Sequence, residues 1–184
     1  KEAFQKAIRS LENGHFGLGF VKNYNDLSLE ELMQELTYPS SQRQFIMYEA
    51  LRKGATVAQL VEKTYIKAWF VEQMQELVQL EEEILTYKGS TLPDELFIQA
   101  KKDGFADKYL AKLLETSENK IRKQRLALGM VAAWEAVPVS GVEAASYYYS
   151  TYNAPNQVEI EDTKKIMVLG GGPNRIGQGI EFDY

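Results

Sequence analysis

Residues 68–87 read AWFVEQMQELVQLEEEILTY. Phe70, Met74, Leu77 and Ile84 recur at helical spacing, with Val71, Val78 and Leu85 beside them, so this stretch predicts the longest helix of the chain. A stripe of this width is a core face, or a seam between copies where a helix is apolar on several sides. Near its end stand Glu81, Glu82 and Glu83. Consecutive helical positions point around the axis, so the three carboxylates do not converge on a metal and read as a solvated face.

Working outward, the flanks are helical too. Residues 41–54, SQRQFIMYEALRKG, are apolar on more than one face and predict a well-buried helix closed by Lys53 and Gly54. Ser28 with Glu31, and Thr56 with Gln59, have the spacing of capping boxes. The first of these helices stops before Pro39. Residues 1–14, KEAFQKAIRSLENG, place Phe4, Ala7, Ile8 and Leu11 on one stripe, with Gly14 as C-cap. Residues 15–27 show no period and read as a linker. Pro93 and Asp94 open a helix that Gly104 ends. Residues 106–129, ADKYLAKLLETSENKIRKQRLALG, read as helix, turn at Thr116-Ser117 and helix. From Val131 to Gln157, Pro138, Gly141, Pro155 and the run Tyr147-Tyr148-Tyr149 indicate an extended connection with short strands. Residues 166–172, IMVLGGG, then read as a buried parallel strand entering a glycine loop. The order is many helices, then the start of an α/β unit.

The 184 residues, 45% hydrophobic and 11% aromatic, are enough to bury a real core. The net charge of -5 does not attract nucleic-acid backbones in general. With no cysteine, disulfides, thiol catalysis and Cys-ligated metals are excluded. No apolar run approaches the roughly 20 residues that span a bilayer, and no signal peptide is visible. The expected compartment is the cytoplasm, with no membrane and no nucleic-acid partner. The chain starts without Met inside an apparent helix and stops after a strand and loop, so a piece of a longer protein is expected.

The glycine loop, Gly170 to Gly179, fits neither phosphate-binding pattern. From Gly170 and Gly172 a dinucleotide fingerprint needs glycine at 175, where Arg175 stands. Gly172 and Gly177 have P-loop spacing, but Gln178-Gly179 comes next instead of Lys-Ser/Thr. The loop is either a ligand site or a structural strand-to-helix turn. Lys120, Arg122, Lys123 and Arg125, on the second helix of a helical pair, resemble a helix-turn-helix DNA reader. The competing reading is an αα-hairpin in a helical core; residues 56–70 echo the same shape and favour packing. His15 has no nearby nucleophile or paired acid and reads as a surface or interface residue. No set of nucleophile, base and oxyanion donor assembles from these residues.

The tail IMVLGGGPNRIGQGIEFDY, residues 166–184, resembles the start of the second synthetase half of the carbamoyl phosphate synthetase large subunit. AWFVEQMQELVQLEEEI, KKDGFADKYLAKL, IRKQRLALGMVAAW and YYYSTY are similar to segments of that subunit in the same order. FQKAIRSLENG is similar to the last helix of its first half. The chain departs from the family pattern at Val137–Ala144.

The resemblance implies a mainly α fold: a multi-helix oligomerization domain, a short β connection, and the C-terminal strand and Gly loop of a truncated α/β (pre-ATP-grasp) domain. It implies boundaries at 1–14 (last helix of the first half), 15–157 (oligomerization domain) and 158–184 (start of the second half). It implies a non-catalytic piece, with no cofactor of its own, of an ATP-dependent ligase. The parent makes carbamoyl phosphate from bicarbonate, glutamine-derived ammonia and two ATP with Mg²⁺ or Mn²⁺, for arginine and pyrimidine biosynthesis. The implied partners are other large subunits and a glutaminase small subunit. Arg175, Ile176, Gly179 and Glu181 are implied to line the tunnel that carries carbamate.

Overall fold

A computed structural model describes residues 1–137 and 147–166. Among them the chain forms helices α1 (Glu2–Ser10), α2 (Leu29–Glu35), α3 (Arg43–Arg52), α4 (Val57–Thr64), α5 (Ala68–Leu85), α6 (Asp94–Lys102), α7 (Asp107–Leu113) and α8 (Glu118–Ala127). Strands β1 (Ala133–Ala136) and β2 (Tyr148–Thr151) pair antiparallel, Ala133 opposite Thr151. This is the mainly α fold with a short β connection that the sequence indicates. The expected strand and loop over 167–184 lie outside the described residues.

Local chemistry sets the helix ends. Ser28 Oγ accepts from Glu31 N–H (3.2 Å) while Glu31 Oε2 accepts from Ser28 N–H (2.7 Å). Thr56 and Gln59 repeat the exchange at 3.2 and 2.9 Å. Each box satisfies two donors that a helix start leaves open. Helix α3 is buried on every side, from Phe45 through Leu51. It packs on α5, whose Val71, Met74, Leu77, Val78, Leu80 and Ile84 face inward.

The helical core contains a repeat offset by fifty residues. The trio α3–α4–α5 and the trio α6–α7–α8 share their turn chemistry. Gly54 (φ +95°) corresponds to Gly104 (φ +96°). Ala55 N–H donates to Ala50 O and Phe105 N–H to Ala100 O, both at 2.9 Å. Tyr65 (φ 58°) and Glu115 (φ 51°) make matching left-handed turns. Leu60 and Leu110 are fully buried, as are Val71 and Ile121 to within 2%. The echo between residues 56–70 and the α7–α8 pair is thus a packing device used twice.

Three expectations need correction. Residues 15–27 carry no helix or strand, yet they are not a linker: Leu18 and Val21 are core residues. A Cβ on Gly17 would meet the Tyr109 ring at 2.3 Å, so the loop lies flat against α7. In α1 the buried residues are Gln5 and Ile8, whereas Ala7 and Leu11 are exposed. The helix is turned toward the α6–α7 junction, where Gln5 Nε2 donates to Asp103 O (3.2 Å) and Arg9 Nη1 to Gly104 O (2.6 Å). It ends at Ser10 with Leu11 as C-cap, and Glu12 rather than Gly14 makes the first left-handed turn. Finally, Phe70 is 55% exposed despite lying on the expected core stripe.

Candidate functional site

The acidic run at the end of α5 divides. Glu82 and Glu83 are exposed, but Glu81 is fully buried, which overturns its reading as part of a solvated face. Its Oε2 accepts from Tyr48 O–H (2.9 Å) and Tyr109 O–H (2.8 Å), and its Oε1 from Arg52 Nη2. Arg52 also reaches Glu82 through Nη1 and Glu49 through Nε (3.3 Å), and its guanidinium stacks 4.2 Å from the Phe20 ring. Gly19 N–H donates to Tyr109 Oη (3.1 Å). One buried carboxylate therefore ties α3, α5, α7 and the 15–27 loop together. Burial pushes the Glu81 carboxyl up from its ordinary value, against the pull of Arg52 and both tyrosines. Burial also opposes the Arg52 charge, but Glu81 beside it wins and raises that group. Arg52, which is always protonated and can only donate, favours the ionised form of the Glu81 carboxyl beside it. Burial, then the Glu81 charge, pushes Tyr48 and Tyr109 well above the usual phenol range. Glu81, Tyr48 and Tyr109 are buried, and the cluster is a structural tie.

A second cluster joins α6, α7 and α8. Lys101 Nζ, almost fully buried, donates to Phe105 O and Asp107 Oδ1, both at 2.6 Å. Arg125 Nε donates to Asp107 Oδ2 (2.9 Å) and its Nη1 to Met130 O (2.8 Å). Burial lowers the Lys101 ammonium despite Asp107. Burial works to raise Asp107, but Lys101 and Arg125 outweigh it and hold its carboxyl below the ordinary range. Stability from Asp107 is thus present above about pH 4 and is lost as pH falls through its lower folded value. Asp107→Asn is expected to lower the urea midpoint at neutral pH, with the gap from wild type closing near about pH 2. An equal gap at both values would remove Asp107 from the acid response.

Of the α8 basic residues, Lys120, Arg122 and Lys123 are exposed, and Arg125 is spent inside the fold. Ile121 anchors the helix in the core. This is an αα-hairpin, and nothing in it supports a DNA reader. His15 packs against Phe45, the rings tilted with centroids 4.9 Å apart, a packing role. Among the described residues no group of His, Cys, Asp or Glu is placed to hold a metal, and no helix is long and apolar enough to cross a membrane. Arg175, Ile176, Gly179 and Glu181 lie outside the described residues.

The surface feature that stands out is apolar. Phe4 of α1, Met47 of α3, Ile66, and Trp69, Phe70 and Met74 of α5 line a groove of about 460 Å³. Trp69 is 60% exposed, and its ring meets that of Phe70 edge-on at 5.0 Å. Two large aromatics thus lie open to water side by side on one helix, at the edge of a mostly apolar groove. No charge run or motif signals it: the stripe period is the same for a core face and a seam.

The sequence model of the carbamoyl-phosphate synthetase large chain oligomerisation domain matches residues 1–129. The chain belongs to this oligomerisation-domain family. That span includes every helix among the described residues, so the groove and the charged side chains of both clusters lie within the oligomerisation domain. The model of the carbamoyl phosphate synthase preATP-grasp domain matches residues 162–184. Similar relatives include the carbamoyl phosphate synthase large chains of Archaeoglobus fulgidus, 39% identical, and Halomonas eurihalina, 42% identical; each alignment covers the whole chain and 18% of the relative. The chloroplastic arginine-specific large chain of Arabidopsis thaliana is 37% identical over the whole chain and 16% of its own length. The chain therefore spans less than a fifth of the length of these relatives.

Proposed function

We propose that the chain is a non-catalytic oligomerisation and linker region of a carbamoyl phosphate synthase large chain, and that it contacts a second copy through the α1–α3–α5 groove. The exposed Trp69–Phe70 pair carries this reading. At their exposures the two side chains leave on the order of 250 Å² of aromatic surface open. Two such faces with their polar rims would bury on the order of 1,000 Å², the low end for a specific interface. That size fits a weak contact, reinforced in a longer protein by its other surfaces.

The same reading gives the longer protein the synthesis of carbamoyl phosphate from bicarbonate, glutamine-derived ammonia and two ATP, in the cytoplasm, with a glutaminase small subunit. ATP and its metal would be held outside this chain. Residues 1–14, which the oligomerisation-domain match includes, would lead in from the first synthetase half, and residues 158–184 would open the second, with Arg175, Ile176, Gly179 and Glu181 along the tunnel. The match over 162–184 supports the placement of 158–184.

Sedimentation velocity over a concentration series tests the contact. The chain is expected to shift from monomer toward dimer, and Phe70→Glu is expected to weaken this at least roughly tenfold by burying an unpaired charge. Association that Phe70→Glu leaves unchanged would move the contact elsewhere. A strictly monomeric chain would overturn self-association by this region alone.

A further inference from the structure

Helix α1 is fastened to strand β2 and the residues after it. Glu2 Oε2 accepts from Thr151 Oγ1 (2.7 Å) and from Asn153 Nδ2 (2.9 Å). Asn153 Nδ2 also donates to Lys102 O (2.9 Å). Lys6 donates to Ser150 O, and its Nζ lies 3.7 Å over the Tyr149 ring. Tyr152 has Lys101 Nζ 5.2 Å above its ring and the Arg125 guanidinium at 6.0 Å. Thr151 is buried by this contact. A two-stranded sheet alone is marginal in water, so the orientation of β1–β2 comes from the surface it docks on. That surface is α1 and the α6–α7 turn.

The hold continues past the sheet. Asn156 Oδ1 accepts from Trp134 N–H (3.1 Å), Gln157 Oε1 from Ala136 N–H (2.7 Å), and Gln157 N–H donates to Trp134 O (2.9 Å). The chain runs back along β1 and is held as far as Gln157, five residues before the preATP-grasp match begins at 162. The helix end is fixed as well: a Cβ on Gly104 would come 2.9 Å from Glu2 Cα, so α1 lies directly on the α6–α7 turn.

We infer that Glu2, Lys6, Thr151 and Asn153 form a clasp that sets the direction in which residue 158 onward leaves the helical domain, relative to the direction in which the chain enters at Lys1. The domain is then a rigid coupling between its entry at α1 and its exit beyond β2, and it holds their relative orientation through side chains rather than through the backbone alone. This coupling is within one chain and does not depend on self-association.

Because the chain has no cysteine, paired spin labels can be placed without background. Lys123→Cys on α8 and Ile160→Cys beyond the clasp are both exposed positions. Pulsed dipolar measurement, with labelled chain diluted into unlabelled chain to suppress distances between copies, is expected to give one narrow distance distribution. Adding Glu2→Ala with Asn153→Ala is expected to at least double its width while the helical circular dichroism is unchanged. A distribution already broad in the parent background, or equally narrow in both, overturns the clasp. Should the double variant lose helix, Asn153→Ala and Thr151→Val singly give the same two decisive outcomes.

Discussion

Glu81→Gln is expected to lower the stability of the domain by about 3 kcal/mol, the lower end of the cost of breaking a buried ion pair. The substitution keeps the shape of the side chain and removes its charge. Arg52 then lies largely buried against a neutral amide, and two tyrosine hydroxyls lose a charged acceptor. The lower end applies because Arg52 keeps Glu49 and half-exposed Glu82. The measurement is urea unfolding, read as a drop in midpoint at unchanged slope. The double variant Glu81→Leu with Arg52→Met tests the cause. Removing both charges is expected to recover the share of the loss that comes from the stranded guanidinium, while the Tyr48 and Tyr109 hydroxyls remain without their acceptor. A single-variant loss below about 1 kcal/mol would mean that water reaches Arg52 and that the tie is weak.

Gly17→Ala is expected to cost about 2 kcal/mol or more, for a steric reason alone. Gly17 is not in the left-handed region, so backbone conformation does not oppose alanine. At a site with room, Gly→Ala would stabilise by roughly 0.4–1 kcal/mol through the unfolded state. Here the new methyl would lie 2.3 Å from the Tyr109 ring, whose hydroxyl is held by both Glu81 and the Gly19 amide. It cannot swing away without breaking the buried cluster. In a Tyr109→Ala background the same substitution is expected to lose most of its cost. A cost that persists without the ring would place the clash elsewhere.

Both predictions rest on contacts that the linear pattern could not show. The helices were legible because their signals are local: the boxes at Ser28 and Thr56, the glycines at 54, 104 and 129, and the period of α5. The 15–27 loop was not, because Leu18 and Val21 have no period and their burial is created by α3, α5 and α7. Glu81 was misread for a related reason. Its neighbours Glu82 and Glu83 do face water, and Glu81 is drawn inward by Tyr48, Arg52 and Tyr109 from two other helices. At Phe70 the period was right and its meaning open, since a core stripe and a docking face share one spacing. The tail was legible only as a resemblance, and the family match over 162–184 agrees with it while the residues themselves lie outside the described structure.

The placement of α1 also bears on the order in which the protein is made. Glu2, Gln5, Lys6 and Arg9 leave the ribosome well before the groups that hold them, at positions 103–104 and 150–153. At roughly 5–20 residues per second, the later of those partners emerge on the order of ten to thirty seconds after α1. In that interval α1 can already dock, with Lys1 on Glu76 of α5 and Arg9 on Gly104 O, and only its polar contacts to residues 150–153 are missing. The contact of Glu2 with Thr151 and Asn153 is thus the last of these to form, and a nascent chain stalled before Asn153 would carry a docked α1 with that contact open.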